Sequence, residues 1–453
     1  MKKLLCLMLM LALLCAPFAG CGNDDFLPPP ESISEPESTP EGESSGTEDI
    51  TKLPVLNICV DGFFGAGSLN RALEQVPGNG REFLPIVERV AVEGPERETT
   101  LTRLRTELMA GAGPDLFICR CDTQFGTKPL FPFPRLAMKN RLFLPLDSYL
   151  QEARYMEWDH LLPVIMEAGR DEEGQQVLPL LYQMPVTFFP KGNPDYALFA
   201  PLPENYQELL DSDDPVLRFV AADSTQYDSI FGELVDYDKG EPTFTEEELL
   251  EQVLRARESL HQRQKGEFPA FTWQLEEQGM YVANEDIGSC NFLFGFLSEM
   301  PVDTEDYTLV PLCSRQGGVT ATITEFMAIN RNSAQPEIAF RVMDWLMSDQ
   351  AQSSSFVLAE RSDGITPNFE LGQKDEAHRD TSTWQNGRGM NSGNFAQLRE
   401  IQGKISAVNF YTAANELGYS EEVDPTRAET TQEEIEKMVH ENYMELQMML
   451  AES

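Results

Sequence analysis

From Leu53 onward the chain alternates short apolar runs with amphipathic stretches, and Gly and Pro cut them apart at sharp boundaries. Residues 53–60 form an apolar run that predicts a strand, ended by Asp61-Gly62. Ser68 is placed to cap a helix carrying Leu69, Leu73 and Val76 on one stripe. Residues 83–92 predict a second strand. Residues 99–110 predict an amphipathic helix with Leu101, Leu104 and Leu108 on its buried stripe. Gly111-Ala112-Gly113-Pro114 stops that helix, because Gly suits the C-cap and Pro cannot continue it. Residues 115–119 then predict a third strand. A βαβαβ order of this kind needs crossover connections, so it predicts an α/β fold with a largely parallel sheet.

Upstream of this region the chain has a different character. Lys2 and Lys3 precede an apolar run over residues 4–18, followed by Ala19-Gly20-Cys21. A short basic segment, an apolar core of this length and small residues before a cut site describe a secretory signal over residues 1–20. A membrane span would need about 20 apolar residues. Cys directly after Ala-Gly looks like the lipobox of bacterial lipoproteins, in which the thiol is acylated and the preceding peptide removed. The alternative is an ordinary signal peptide that contains a Cys. Residues 21–52 are acidic and rich in Ser and Pro. Beyond Cys21 they carry only Phe26, Leu27, Ile33 and Ile50 as large apolar residues. Such a composition predicts a disordered tether.

The net charge of −41 is the opposite of a nucleic-acid footprint and excludes that class of partner. It also repels anionic membrane surfaces, so attachment would fall to the lipid on Cys21. Solubility alone also accounts for such a charge. Past the signal, Cys59, Cys119, Cys121, Cys290 and Cys313 form an odd set that cannot pair completely within one chain. Cys119 and Cys121 share a face if they lie on a strand. The four His (His160, His261, His378 and His440) are scattered, and none stands at finger-like spacing from that Cys pair. Buried free thiols are the expectation, with a Cys290–Cys313 disulfide as the alternative.

The second half continues the alternation. Thr245 and Glu248 predict a capping box before a helix carrying Leu249, Leu250, Val253 and Leu254. Residues 323–329 predict a strand. Pro336 marks the first turn of a helix whose stripe is Ile338, Ala339, Val342, Trp345 and Leu346. Thr431 and Glu434 predict a second capping box before a final helix. No internal repeat is visible.

Several of these segments together resemble one family. The stretch over residues 102–117 looks like the helix, small-residue turn and Pro-Asp strand of extracellular solute-binding proteins of ABC importers, in particular the carbohydrate-binding, maltose-binding-protein-like group. Leu144-Pro145-Leu146-Asp147 resembles a family segment, and Ala328-Ile329-Asn330 with residues 333–352 resembles its late strand and helix. Residues 368–403 match nothing in that pattern. The resemblance implies a periplasmic-binding-protein-like fold of two α/β lobes joined by a hinge. Residues 53–183 plus 321–366 would form the N-lobe, and 184–320 plus 367–453 the C-lobe. It further implies a small-molecule solute, most plainly a carbohydrate, held in the cleft by lobe closure. Partner permease subunits and an extracellular, lipid-anchored location on a single-membrane bacterium go with it, and no cofactor does.

A sugar offers hydroxyls and an apolar ring face, so its site needs aromatic platforms and planar polar groups. Candidates at expected strand ends and loops are Phe63, Phe64, Asp122, Tyr182, Trp273, Arg315 and Trp384. Each has a structural alternative: core packing for Phe63, Phe64, Tyr182 and Trp273, a helix cap for Asp122, a surface ion pair for Arg315, a loop anchor for Trp384. Trp345 belongs to the core by its place on a helix stripe. Paired carboxylates could cleave glycosides, but 75 acidic residues make chance pairs certain. The chain has no Gly-x-Ser-x-Gly elbow, zinc-protease helix or phosphate-binding Gly-Lys-Ser/Thr loop. The expectation is a binding protein and not an enzyme, with a ligand sensor for a membrane receptor as the alternative.

Overall fold

Three parallel strands carry the first part of the fold. In the computed structural model, β1 (Val55–Asp61), α1 (Ala66–Glu74), β2 (Leu84–Arg89), α2 (Gly94–Met109) and β3 (Leu116–Arg120) follow in the predicted order. The structure describes residues 52–62, 66–121, 128–190, 201, 203–214, 217, 221, 227–264, 307–352, 366–368, 392–418, 420, 423–425, 427 and 429–452. The expected signal, the tether and Cys21 lie outside these residues. Among the described residues no helix is long and apolar enough to cross a membrane.

β1 pairs in parallel with β2 on one side and β3 on the other. Its side chains are buried on both faces, which is what a central parallel strand requires. Leu56, Ile58 and Val60 pack with Leu69 and Leu73 of α1 and with Val76 just past its end. Cys59 and Phe117 on the other face pack with Leu101, Leu104 and Leu108 of α2. The sheet is thus sandwiched between helical layers.

α2 begins five residues earlier than its periodicity suggests, because Pro95 occupies the first turn, where a missing N–H costs nothing. It ends as predicted. Gly111 takes φ 73° and Ala112 N–H donates to Glu107 O at 2.9 Å, so the chain turns out of the helix through a left-handed residue.

Five longer strands follow, of which three join the first three in a mixed sheet and two pair apart. They are β4 (Val177–Gln183), β5 (Val186–Pro190), β6 (Tyr307–Pro311), β7 (Val319–Ile329) and β8 (Ile405–Phe410). The six-stranded sheet has the order β8-β7-β3-β1-β2, with β4 also paired to β7. β7 runs antiparallel to β3 and β4 and parallel to β8. β5 leaves this sheet and pairs antiparallel with β6.

β7 starts four residues before the predicted strand. Its entry is a Gly317-Gly318 turn with φ 92° and 71°. A Cβ on Gly318 would sit 2.6 Å from Lys404 O, so only Gly lets β7 approach the start of β8.

Helices close both ends of the second half: α3 (Tyr227–Phe231), α4 (Glu246–Gln264), α5 (Pro336–Leu346), α6 (Asp349–Gln352), α7 (Ser392–Gln402) and α8 (Gln432–Glu452). Both predicted capping boxes are present. Glu248 N–H donates to Thr245 Oγ1 and Thr245 N–H to Glu248 Oε2, at 3.2 and 2.8 Å. The Thr431–Glu434 box has 3.2 and 2.7 Å. α4 and α8 pack through Leu249, Val253, Ile435, Met438, Val439 and Leu446. Trp345 is buried on α5 beside Tyr155, as its helix stripe requires.

Cys59, Cys119, Cys121 and Cys313 are buried free thiols. Burial pushes the Cys313 thiol up to about 11 and raises Cys59 and Cys119 further, which keeps them protonated and inert. Cys313 is a free thiol that donates to Pro203 O at 3.3 Å, and Cys290, its alternative disulfide partner, lies outside the described residues.

Candidate functional site

In an open α/β sheet, ligands sit outside the carboxyl ends of the parallel strands. β1 and β3 end side by side at Asp61 and Arg120. Asp61 is buried and bonded on both oxygens. Arg97 of α2 donates from Nη1 to Oδ1 at 2.7 Å and from Nη2 to Oδ2 at 3.2 Å, and Leu130 N–H donates to Oδ2 at 2.7 Å. The same guanidinium donates to Ala91 O at 2.9 Å and Lys128 O at 2.7 Å. This arrangement bolts together the end of β1, the first turn of α2 and the segment entering residue 130.

The neighbouring pair is different. Antiparallel β7 places Glu325 opposite Arg120. The two side chains are 6% and 0% exposed, with Arg120 Nε 3.9 Å from Glu325 Oε1. Two charges this deep cost several kcal/mol each to desolvate, so a pair held at ion-pair rather than short hydrogen-bond distance is weak evidence for stability alone. Next to it, Cys121 N–H donates to Thr324 O at 2.7 Å and extends the β3 ladder.

β7 carries a buried polar stripe beyond this point. Val319, Ala321 and Ile323 enter the apolar cluster with Leu398, Ile401 and Phe410. Thr320, Thr322 and Thr324 alternate with them, as the period of a strand dictates, and are also buried. Thr320 Oγ1 donates to Ser229 O of α3 at 3.0 Å. Asn409 of β8 stands in register with Thr322. It accepts from Leu234 N–H at 3.2 Å and donates to Gly232 O at 2.7 Å. Hydroxyls on β7, an amide on β8 and the Arg120–Glu325 pair between β3 and β7 are thus buried on neighbouring strands, with the Thr320 hydroxyl and the Asn409 amide already bonded to backbone groups of residues 229–234. That donor and acceptor set suits a neutral polyhydroxyl solute.

Two of the seven sequence candidates are described. Tyr182 is fully buried on β4, and its hydroxyl accepts from Gln402 Nε2 of α7 at 2.7 Å. Burial raises its phenol above the ordinary value. It serves as a core bolt between β4 and α7. Arg315 lies over the Phe231 ring at 5.0 Å, with Nη1 3.4 Å from Glu248 Oε1. Its ion pair is half-exposed. No hydrogen bond or ion pair joins Tyr182 to Arg315 among the described residues. Phe63, Phe64, Asp122, Trp273 and Trp384 lie outside the described residues.

Sequence reasoning missed Arg120, Thr322, Thr324, Glu325 and Asn409. The signal was the strict apolar–Thr alternation of residues 319–324, which marks a strand with one polar face. Among the described residues one group has metal-ligating chemistry, Glu157, His160 and Asp349, and none of its members lies on the sheet edge.

No family model matches the chain, and no curated protein matches it in sequence. Solved structures do match in fold. An extracellular solute-binding protein family 1 member from Alicyclobacillus acidocaldarius superposes with a TM-score of 0.55 at 13% identity, covering 87% of this chain and 99% of that one. The sugar-binding protein MalE from Xanthomonas citri gives 0.52 at 13% identity, over 88% and 98%. A de novo designed cysteine esterase, ECH19, gives 0.52 at 11% identity over 88% and 98%, so one fold carries more than one activity. The chain has the α/β, periplasmic-binding-protein-like fold.

Proposed function

We propose that this chain is the lipid-anchored, extracellular solute-binding component of an ABC importer, and that its solute is a carbohydrate. The observation that carries this reading is the buried polar stripe on β7, which continues into the Arg120–Glu325 pair at the carboxyl ends of β1 and β3. Its chemistry matches sugar hydroxyls, and it lies where α/β sheets hold ligands. The fold it shares with structures called solute-binding and sugar-binding supports the same reading.

The working device is a pair of lobes, 53–183 plus 321–366 and 184–320 plus 367–453, that close on solute. Two features favour these crossings. β4 pairs with β7 but the next strand, β5, pairs with β6. β7 itself changes partners at Thr324, from β8 to β3 and β4. Solute would shift an open–closed equilibrium toward the closed form. The lipid on Cys21 would hold the protein at the outer face of the membrane, beside its permease subunits.

Thermal-shift screening of the Cys21→Ser mature chain against mono- and oligosaccharides, amino acids and peptides tests the ligand class. A carbohydrate is expected to raise the melting temperature. Stabilisation by amino acids or peptides alone, or hydrolysis of a glycoside, would overturn the reading. Cys21→Ser should also free the protein from membranes in cells, and continued membrane association would refute the anchor.

A further inference from the structure

We propose that Glu157, His160 and Asp349 form a binding site for a divalent transition-metal ion of the zinc type, independent of the solute site. Each residue offers one ligand atom, and the three atoms lie within 4.8 Å of one another. His160 Nδ1 is 3.1 Å from Asp349 Oδ1. The two are hydrogen-bonded here, and an ion about 2.0–2.2 Å from each would take the place of the proton they share.

Local geometry sets the cluster up. Trp158–His160 is a 3-10 turn, closed by His160 N–H donating to Glu157 O at 2.8 Å. Glu157 precedes this turn in extended conformation, at φ −93° and ψ 90°, and its carboxylate comes within 4.8 Å of the His160 ring nitrogen. Asp349 comes from the start of α6, and its N–H donates to Glu157 Oε2 at 3.3 Å. A supporting group orients it: Asn368 Nδ2 donates to Asp349 Oδ1 at 2.6 Å. Asn368 is itself fixed by its bridge to Leu161 and by its N–H, which donates to Thr366 Oγ1 at 3.2 Å. Buttressing of a ligating carboxylate by an amide is what metal sites use to hold ligands in place.

The donor set narrows the ion. One imidazole and two carboxylates suit zinc, cobalt, manganese or iron(II), whereas magnesium and calcium prefer oxygen alone. Glu157 is exposed, and His160 and Asp349 are half-buried, so an ion can enter from solvent. The net charge of −41 attracts cations to the surface. A bound ion would clip the 157–160 turn to α6, and through Asn368 to the 366–368 segment.

The test uses the full chain without a histidine tag, stripped with chelator and titrated with Zn²⁺ by calorimetry and with Co²⁺ by visible absorption. The expected result is one ion per chain, a Co²⁺ spectrum of inner-sphere nitrogen and oxygen ligation, and a higher melting temperature with Zn²⁺. His160→Ala and Glu157→Gln should abolish this binding while retaining the native circular dichroism. Asn368→Ala should weaken it about 10-fold. Absence of saturable binding, or equal stoichiometry and affinity in His160→Ala, would overturn the site and assign any bound ion to surface carboxylates.

Discussion

Arg97→Ala removes the guanidinium that binds the end of β1 to α2 and to the 128–130 segment. In the native chain Arg97 donates four hydrogen bonds, two to Asp61 and one each to Ala91 O and Lys128 O. The substitution leaves Asp61 buried with the Leu130 N–H as the remaining donor of this set. Removing one member of a buried pair costs about 3–5 kcal/mol, because the other charge stays in a dry site. In a chain of this length each kcal/mol moves the melting temperature by about 2 °C or less. Calorimetry should therefore show a fall of roughly 3–6 °C, from an unfolding entropy of about 2.1 cal/mol/K per residue. The reasoning assigns this cost to the orphaned carboxylate and not to lost packing, so Asp61→Leu combined with Arg97→Met should recover most of it. A melting temperature for Arg97→Ala within 2 °C of wild type would refute the bolt. A double variant no better than the single would refute the orphaned-charge account of its cost.

Three further outcomes follow from other parts of the fold. Thr322→Val and Thr324→Val, near-isosteric changes on the polar stripe, should weaken binding of the identified carbohydrate about tenfold, with the loss of one hydrogen bond of about 1.5 kcal/mol; unchanged affinity by calorimetry in both would remove the stripe from the site. Gly318→Ala should destabilise the chain by about 1–3 kcal/mol, because φ is 71° and the new Cβ would meet Lys404 O and Ser406 Oγ; a neutral melting temperature would show that the β7 entry relaxes freely. The Glu248 carboxyl is held below its ordinary value by its bonds from Thr245, with Arg315 adding to the effect. Its contribution to stability is thus complete above the ordinary carboxylate value and fades as pH falls through the lowered one. Glu248→Gln should cost about 1 kcal/mol at neutral pH, and the gap to wild type should close in acid; a gap constant down to strongly acidic pH would contradict this.

The parts of the fold legible in the sequence are those set by local chemistry. Leu101, Leu104 and Leu108 mark a helix face, Gly111 and Gly113-Pro114 its end, and the Thr–Glu pairs the starts of α4 and α8. None of these depends on distant residues. β7 was legible only from residue 323 onward. Its earlier half alternates Thr with small apolar residues, and what makes it a strand is β8, whose pairing residues lie about 85 positions later. Two of the candidate residues show a related dependence on distant partners. Tyr182 and Arg315 were chosen by residue type, since aromatic rings and guanidinium groups recognise sugars. Type does not say which partner claims a side chain, and here Gln402 claims the phenol while Phe231 and Glu248 claim the guanidinium.

The same logic applies to small and plain residues on the sheet. Thr322, Thr324 and Asn409 carry no motif, and each alone reads as a β-branched or polar strand residue. Thr322 and Thr324 are buried on β7, which also packs Val319, Ala321 and Ile323 into the core, and Asn409 stands in register with Thr322 from β8. A strand that only completed a core would gain by being apolar on both faces, as β1 nearly is. β7 forgoes that gain over three successive turns of the pleat and then buries Glu325 against Arg120. The fold itself meets part of this polarity: Thr320 Oγ1 donates to Ser229 O at 3.0 Å, and the Asn409 amide accepts from Leu234 N–H and donates to Gly232 O at 3.2 and 2.7 Å.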